Sequence, residues 1–261
     1  MHTFDPNIAI AGLAVGVLVG LTGMGGGALM TPLLVFLFGV PPPTAVATDL
    51  FKAVITKGAG ALQHLRQGTV DLRAALQLAR GSLPGALLGG AVLFWVDRHG
   101  SPEAVDAAVL SVLGFTLILA GVGFFVGTRR LGPWRREEET ETPPWAGRLL
   151  VYGGGVIGFL VALTSVGAGS LGIALLGVAR LVPGRKLVGT DLFHGFLLVT
   201  VATLAAHGWA GRIDFQLAWN LLLGTIPGAV VGARLSARTP VPVMRPILAV
   251  MMMITGFGFL W

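Results

Sequence analysis

Apolar residues fill long runs along this chain, and polar residues are largely confined to the gaps. The runs cover about 8–21, 28–38, 44–64, 72–96 and 104–127, then about 149–163, 170–181, 187–207, 214–235 and 243–261. The last three runs of each set are long enough to cross a hydrocarbon core, which takes about 20 helical residues. The first two of each set are shorter. At a rise of about 1.5 Å per residue they reach only part-way across.

The two sets are copies of one unit. Thr48-Asp49-Leu50-Phe51 recurs as Thr190-Asp191-Leu192-Phe193, and TGMGGG at 22–27 returns as TSVGAG at 164–169. His64, Gly68 and Asp71 match His207, Gly211 and Asp214. GSLPG at 81–85 matches GTIPG at 224–228. Internal duplication of this kind is a common plan for membrane transporters.

Composition narrows the class. Of 261 residues, 54% are hydrophobic and only 11% charged, with a mean hydropathy of +0.82. Soluble domains run near 25% charged, so the expected class is an all-α polytopic membrane protein. The absence of cysteine excludes disulfides, iron–sulfur centres and thiolate metal sites. The start, MHTFDPN, has no Lys or Arg before the first apolar run, unlike a secretory signal peptide. Residues from Ile8 onward are therefore expected in the mature protein. The net charge of +6 belongs to membrane topology rather than to nucleic acid.

The basic residues also choose between two arrangements of the short runs. If each short pair is one broken span, the loop charges divide almost evenly across the membrane. If each pair is a re-entrant hairpin, one side collects Arg66, Arg73, Arg129, Arg130, Arg135, Arg136, Arg148, Arg180, Arg185, Lys186, Arg234, Arg238 and Arg245. The other side keeps only Arg98 and Arg212. Short cytoplasmic loops are enriched in Lys and Arg, so the hairpin arrangement is expected. It implies two inverted repeats, each a re-entrant helical hairpin plus three transmembrane helices. The first repeat covers 1–127, a charged cytoplasmic linker 128–147 and the second repeat 148–261. Both termini then lie outside the cytoplasm, in the inner (plasma) membrane, and the two glycine tips meet near the midplane.

The first tip sits in LTGMGGGALMTP at 21–32, which contains G-x-G-x-x-A at Gly23, Gly25 and Ala28. A dinucleotide loop would need a preceding strand, and an acidic residue about 20 positions on in a soluble βαβ unit. Asp49 is near that distance but lies in a membrane run, and the second copy loses the pattern at Ser165. Irregular backbone at membrane depth is tolerated only inside protein or beside a watery cavity. The helix after each tip begins with free N–H groups and the positive end of its dipole. Two such ends facing each other form an anion site. The expected substrate contacts are Thr22, Gly25, Gly26 and Gly27 from one tip. Thr164, Ser165, Gly167 and Gly169 come from the other, and Ser170 is a further hydroxyl donor. Close packing of small residues is the plainer alternative.

Ionisable residues inside spans are costly and usually functional. Asp49 has Lys52 three residues on, close enough to pair on one helix face, and Asp191 has His194 at the same spacing. These four are the expected gating or coupling residues, with a purely structural role for each Asp as the alternative. Lys57 lies deeper, with no counterpart in the second copy. It would take an anionic substrate as its partner, or else Asp49 or a carbonyl. Asp71 and Asp214 are expected helix caps. No catalytic or metal-ligand constellation appears, and no cofactor is implied.

In their order, GLTGMGGGALMTPLL, AVATDLFKAVITKGAGALQH, GTVDL and GSLPGALLG, followed by VGTDLFHG, GRIDF and GTIPGAVVG, resemble the sulfite exporter TauE/SafE family across nearly the whole chain. The resemblance implies secondary transport of small sulfur-containing anions such as sulfite, thiosulfate or organosulfonates, coupled to protons or another ion. An anion channel on the same scaffold is the alternative, and an intramembrane enzyme a more remote one. The implied partners are the lipid bilayer and a small anion. Homo-oligomerisation, the exact substrate and the direction of transport are left open.

Overall fold

Aspartate caps, prolines and glycines in the sequence mark several of the helix ends. The computed structural model describes residues 5–22, 26–130, 144–179, 182–208, 211–236 and 241–261. Its first half holds α1 (Pro6–Thr22), α2 (Gly27–Phe38), α3 (Pro42–Arg66), α4 (Leu72–His99) and α5 (Pro102–Arg130). The second holds α6 (Ala146–Thr164), α7 (Ser170–Ala179), α8 (Gly184–Ala202), α9 (Phe215–Ser236) and α10 (Val241–Leu260). A π-helical turn, Thr203–Gly208, extends α8. Among the described residues there is no strand. Of the expected linker, 131–143 lies outside the described residues.

The two expected caps are present. Asp71 Oδ1 accepts the Ala74 N–H at 3.0 Å, and Asp214 Oδ1 accepts the Leu217 N–H at 2.9 Å. Each satisfies a backbone donor that the first helical turn leaves free. Pro42 and Pro43 open α3, where a missing N–H costs nothing. Gly39 ends α2 at φ 61°, a left-handed position that favours glycine.

Among the described residues, five helical stretches are long and apolar enough to cross a membrane: Leu72–His99, Pro102–Gly123, Ala146–Thr164, Lys186–Ala205 and Phe215–Leu235. The 149–163 run was expected to fall short, but α6 extends back to Ala146 and reaches 19 residues. With 25 residues, α3 is long enough but too polar, because it carries Asp49, Lys52 and Lys57. Large apolar side chains face outward, with Trp95 and Trp219 each 63% exposed, while Asp49, Asp191 and His194 are buried. This inside-out arrangement suits lipid, and the chain is an all-α, multi-pass membrane protein.

The halves exchange helices. α1 lies along α9, and α6 lies along α4. Gly12, Gly16 and Gly20 meet Leu221, Thr225 and Ala229 in ascending order, so α1 runs parallel to α9. Their copies behave the same way: Gly154 meets Leu78 and Gly158 meets Ser82. In contrast, α3 runs antiparallel to α8, with Gly58 against Phe196 and Gly60 against Leu192. α5 and α10 are also antiparallel. Gly114 faces the Gly256 carbonyl, and Gly256 faces the Gly114 carbonyl. Hydrogen bonds repeat this exchange. The Asp71 N–H donates to Thr190 Oγ1 at 2.9 Å, and the Asp214 N–H donates to Thr48 Oγ1 at 3.1 Å.

Small residues allow this because membrane helices associate through close packing rather than hydrophobic expulsion. A Cβ on Gly158 would lie 2.7 Å from the Ser82 carbonyl carbon and 2.8 Å from its Cα. One on Gly155 would meet only the Gly81 carbonyl oxygen, at 3.7 Å. Gly158→Ala is therefore expected to destabilise by about 1–3 kcal/mol through overpacking. Gly155→Ala is expected to be neutral or slightly stabilising. Thermal unfolding of the two variants in the same detergent checks the difference, and equal melting would remove the close-packing account.

Candidate functional site at the tip contact

The two tips touch. Gly27, the first residue of α2, sits against the Ser165 backbone at the end of α6. A Cβ there would lie 3.0 Å from the Ser165 carbonyl carbon and 3.1 Å from its Oγ. Ser165 has φ 62°, an uncommon conformation for a non-glycine residue. It occupies the position that Gly23 holds in the first copy. Residues 161–170 are all buried.

From this turn, Ser165 Oγ donates to Asp49 Oδ2 at 2.7 Å. Thr31 Oγ1, on α2, donates to the same oxygen at 3.3 Å. The other carboxylate oxygen pairs with Lys52 Nζ at 2.7 Å, as the spacing predicts. Both charges are buried, at 0% and 2% exposure. Asp49 thus joins α2, the end of α6 and Lys52 on its own helix. Gly26 leaves room for the ammonium, because a Cβ there would lie 3.1 Å from Lys52 Nζ.

Lys57 reaches the second tip from the same helix. Its Nζ donates to the Ala168 carbonyl at 3.0 Å. Of the partners open to it in the sequence, the structure selects a carbonyl. Asp191 and Asp49 are the acids that act on it electrostatically.

The second half differs from its copy. Asp191 is buried, and its Oδ1 packs against Gly172 on α7. That oxygen has no hydrogen-bond partner among the described residues. The expected pairing with His194 is not made. His194 Nε2 instead shares a hydrogen bond with Ser82 Oγ at 2.7 Å, because α8 packs against α4. Spacing along one helix could not show that neighbour. His194 Nδ1 and Ser170 Oγ also lack partners among the described residues.

The remaining expected site residues divide. Thr164 turns to its own backbone, with Oγ1 donating to the Leu160 carbonyl at 2.7 Å and accepting the Val166 N–H at 3.2 Å. Gly167, at φ 108°, shapes the second tip. The Gly169 carbonyl accepts the Ile173 N–H inside the first turn of α7. Gly25 and the Thr22 side chain lie outside the described residues. Thr31 and Ser82 were not anticipated. Thr31 lies within the stretch already singled out, and Ser82 had a readable signal: its repeat counterpart, Thr225, also carries a hydroxyl.

Comparison with known proteins agrees with this architecture. The family model described as "Sulfite exporter TauE/SafE" matches residues 8–259. "Probable membrane transporter protein YjnA" of Bacillus subtilis is 39% identical over 255 residues, covering 96% of this chain and 97% of the relative. "Probable membrane transporter protein YunE" of the same organism is 26% identical, covering 92% and 93%. "Probable membrane transporter protein MJ0441" of Methanocaldococcus jannaschii is 22% identical, covering 98% and 95%. No solved structure matches. The chain belongs to the sulfite exporter TauE/SafE family and is a membrane transporter, not an enzyme.

Proposed function

We propose that the protein is a secondary transporter that carries small sulfur-containing anions of the sulfite, thiosulfate or organosulfonate class across the inner membrane. It does so by alternating access around the tip contact, together with a coupling proton. The observation that carries this is the buried set at the tips: two lysines, Lys52 and Lys57, together with two aspartates, Asp49 and Asp191. With all four charged, the set is neutral and has no net attraction for an anion. Asp49 is tied into an ion pair and two hydroxyl bonds, whereas Asp191 Oδ1 has no such hold among the described residues. A proton taken by Asp191 leaves one net positive charge beside the helix N-termini of the tips, and an anion then neutralises it. Proton and anion enter together for this reason.

Helix directions support the inverted, re-entrant topology. The loop from α3 to α4 and that from α4 to α5 are too short to recross the membrane, so these three spans alternate in direction. Since α8 runs antiparallel to α3, it starts on the side where α5 ends. The α6–α7 segment between them then enters and leaves on that same side, as a hairpin. An antiparallel pair of repeat copies also places their two-fold axis across the helices, in the membrane plane. The positive-inside pattern orients both termini away from the cytoplasm.

The test is flux of labelled sulfite, thiosulfate and a small sulfonate into proteoliposomes with an imposed pH gradient. The expected result is uptake driven by an inward proton gradient. Asp191→Asn is expected to lose the response to the gradient, with flux at least about 10-fold lower. Gradient-independent single-channel currents in the wild type would replace the carrier by a channel.

A further inference from the structure

Away from the tips, a cavity of about 340 Å³ opens on the flank where α4 meets α6. It is lined by Gln77, Arg80, Gly147, Arg148, Val151 and Tyr152. Arg80 sits about 12 Å along α4 from its start, well inside a membrane-length helix, and is exposed. A cation at that depth is costly without a counter-charge. Neither Arg80 nor Arg148 has an ion-pair partner among the described residues. The repeat counterpart of Arg80 is Leu223, so helix packing does not require this arginine.

We infer that this cavity binds the phosphodiester headgroup of an anionic phospholipid. Two arginine forks suit phosphate oxygens, Gln77 supplies amide donors and Tyr152 a hydroxyl. Free phosphate offers the same oxygens, but the surroundings favour a lipid. Tyr152 is 75% exposed and continues along its helix face to Val156, 57% exposed, while Leu87 lies on the corresponding stretch of α4 at 55% exposure. An acyl chain can run along this apolar strip while the headgroup occupies the basic cavity. Basic pockets between transmembrane helices are known to take anionic headgroups in this way.

The experiment titrates the purified full chain in neutral detergent with phosphatidylglycerol, phosphatidylcholine or inorganic phosphate, reading thermal stability and lipid adducts by native mass spectrometry. Phosphatidylglycerol is expected to raise the melting temperature and to give retained adducts, and the other two to do neither. The Arg80→Leu/Arg148→Gln double variant is expected to bind phosphatidylglycerol about 25-fold more weakly, at about fivefold per arginine. If it does not fold, Arg148→Gln alone, at an exposed position, carries the fivefold test. Equal stabilisation by phosphatidylcholine, or unchanged affinity in the variants, would overturn the site. Equal stabilisation by inorganic phosphate would overturn the lipid as its occupant.

Discussion

Asp49→Asn is expected to abolish anion flux and to destabilise the protein by about 3–5 kcal/mol, the usual cost of removing one partner from a buried ion pair. The asparagine keeps an acceptor for Ser165 and Thr31, so the loss falls on Lys52, whose ammonium is 2% exposed and pairs with Asp49 alone among the described residues. Removing both charges separates structure from transport. Asp49→Asn with Lys52→Met is expected to regain most of the stability, because no uncompensated charge remains, but no flux. Detergent melting curves and proteoliposome uptake on the same preparations check this. A single variant that melts like the wild type would show that the ion pair does not hold the tips together. Flux in the double variant would remove both residues from the transport cycle.

Gly27→Val is the second large effect. A Cβ at this position meets the backbone of Ser165, which cannot move aside as a side-chain end can. Two outcomes are open to the chain. Either the tips separate or Ser165 leaves its left-handed turn, and both break the Ser165–Asp49 hydrogen bond. The expected cost is about 1–3 kcal/mol from overpacking, with flux at least about 10-fold below wild type. Gly39→Ala, where a Cβ has nothing within 4 Å, is the matched control. It strains a left-handed turn but leaves the tips in contact, so its flux is expected to stay near that of the wild type. Wild-type flux in Gly27→Val would exclude the tip contact from the mechanism.

Much of this architecture was legible because duplication and spacing are written along the chain. The Thr48 and Thr190 copies, and the Asp71 and Asp214 copies, predicted matched environments, and the two halves place them in reciprocal hydrogen bonds. The Asp49–Lys52 pair followed from helical spacing alone. What escaped were contacts between segments distant in sequence. His194 shares a helix face with Asp191, but its partner is Ser82, 112 residues away. Lys57 likewise ends on the Ala168 carbonyl, 111 residues away. A backbone acceptor carries no mark in the sequence. Ser165 was read as a hydroxyl donor, and it does donate, but its left-handed backbone is set by the turn that ends α6.

The helix exchange also limits what can move. Neither half is a body in its own right, since α1 is seated in a groove of α9 and α6 in one of α4, with backbones too close to slide past one another. A rocking unit must keep each such couple whole, and so draws one helix from either copy. The couples are alike in construction, each built on a helix capped by an aspartate, but differ in their further contacts. α1 is bound to the helix capped by Asp214, and α6 to the one that supplies Ser82 to His194. In the proposed cycle their common hinge line is expected at the antiparallel crossing of α3 and α8, where Phe196 and Leu192, rather than neighbouring backbone, fill the gap opposite Gly58 and Gly60. Side chains can change rotamer as the angle between the couples changes. Motion would be concentrated at that crossing, between the two acids.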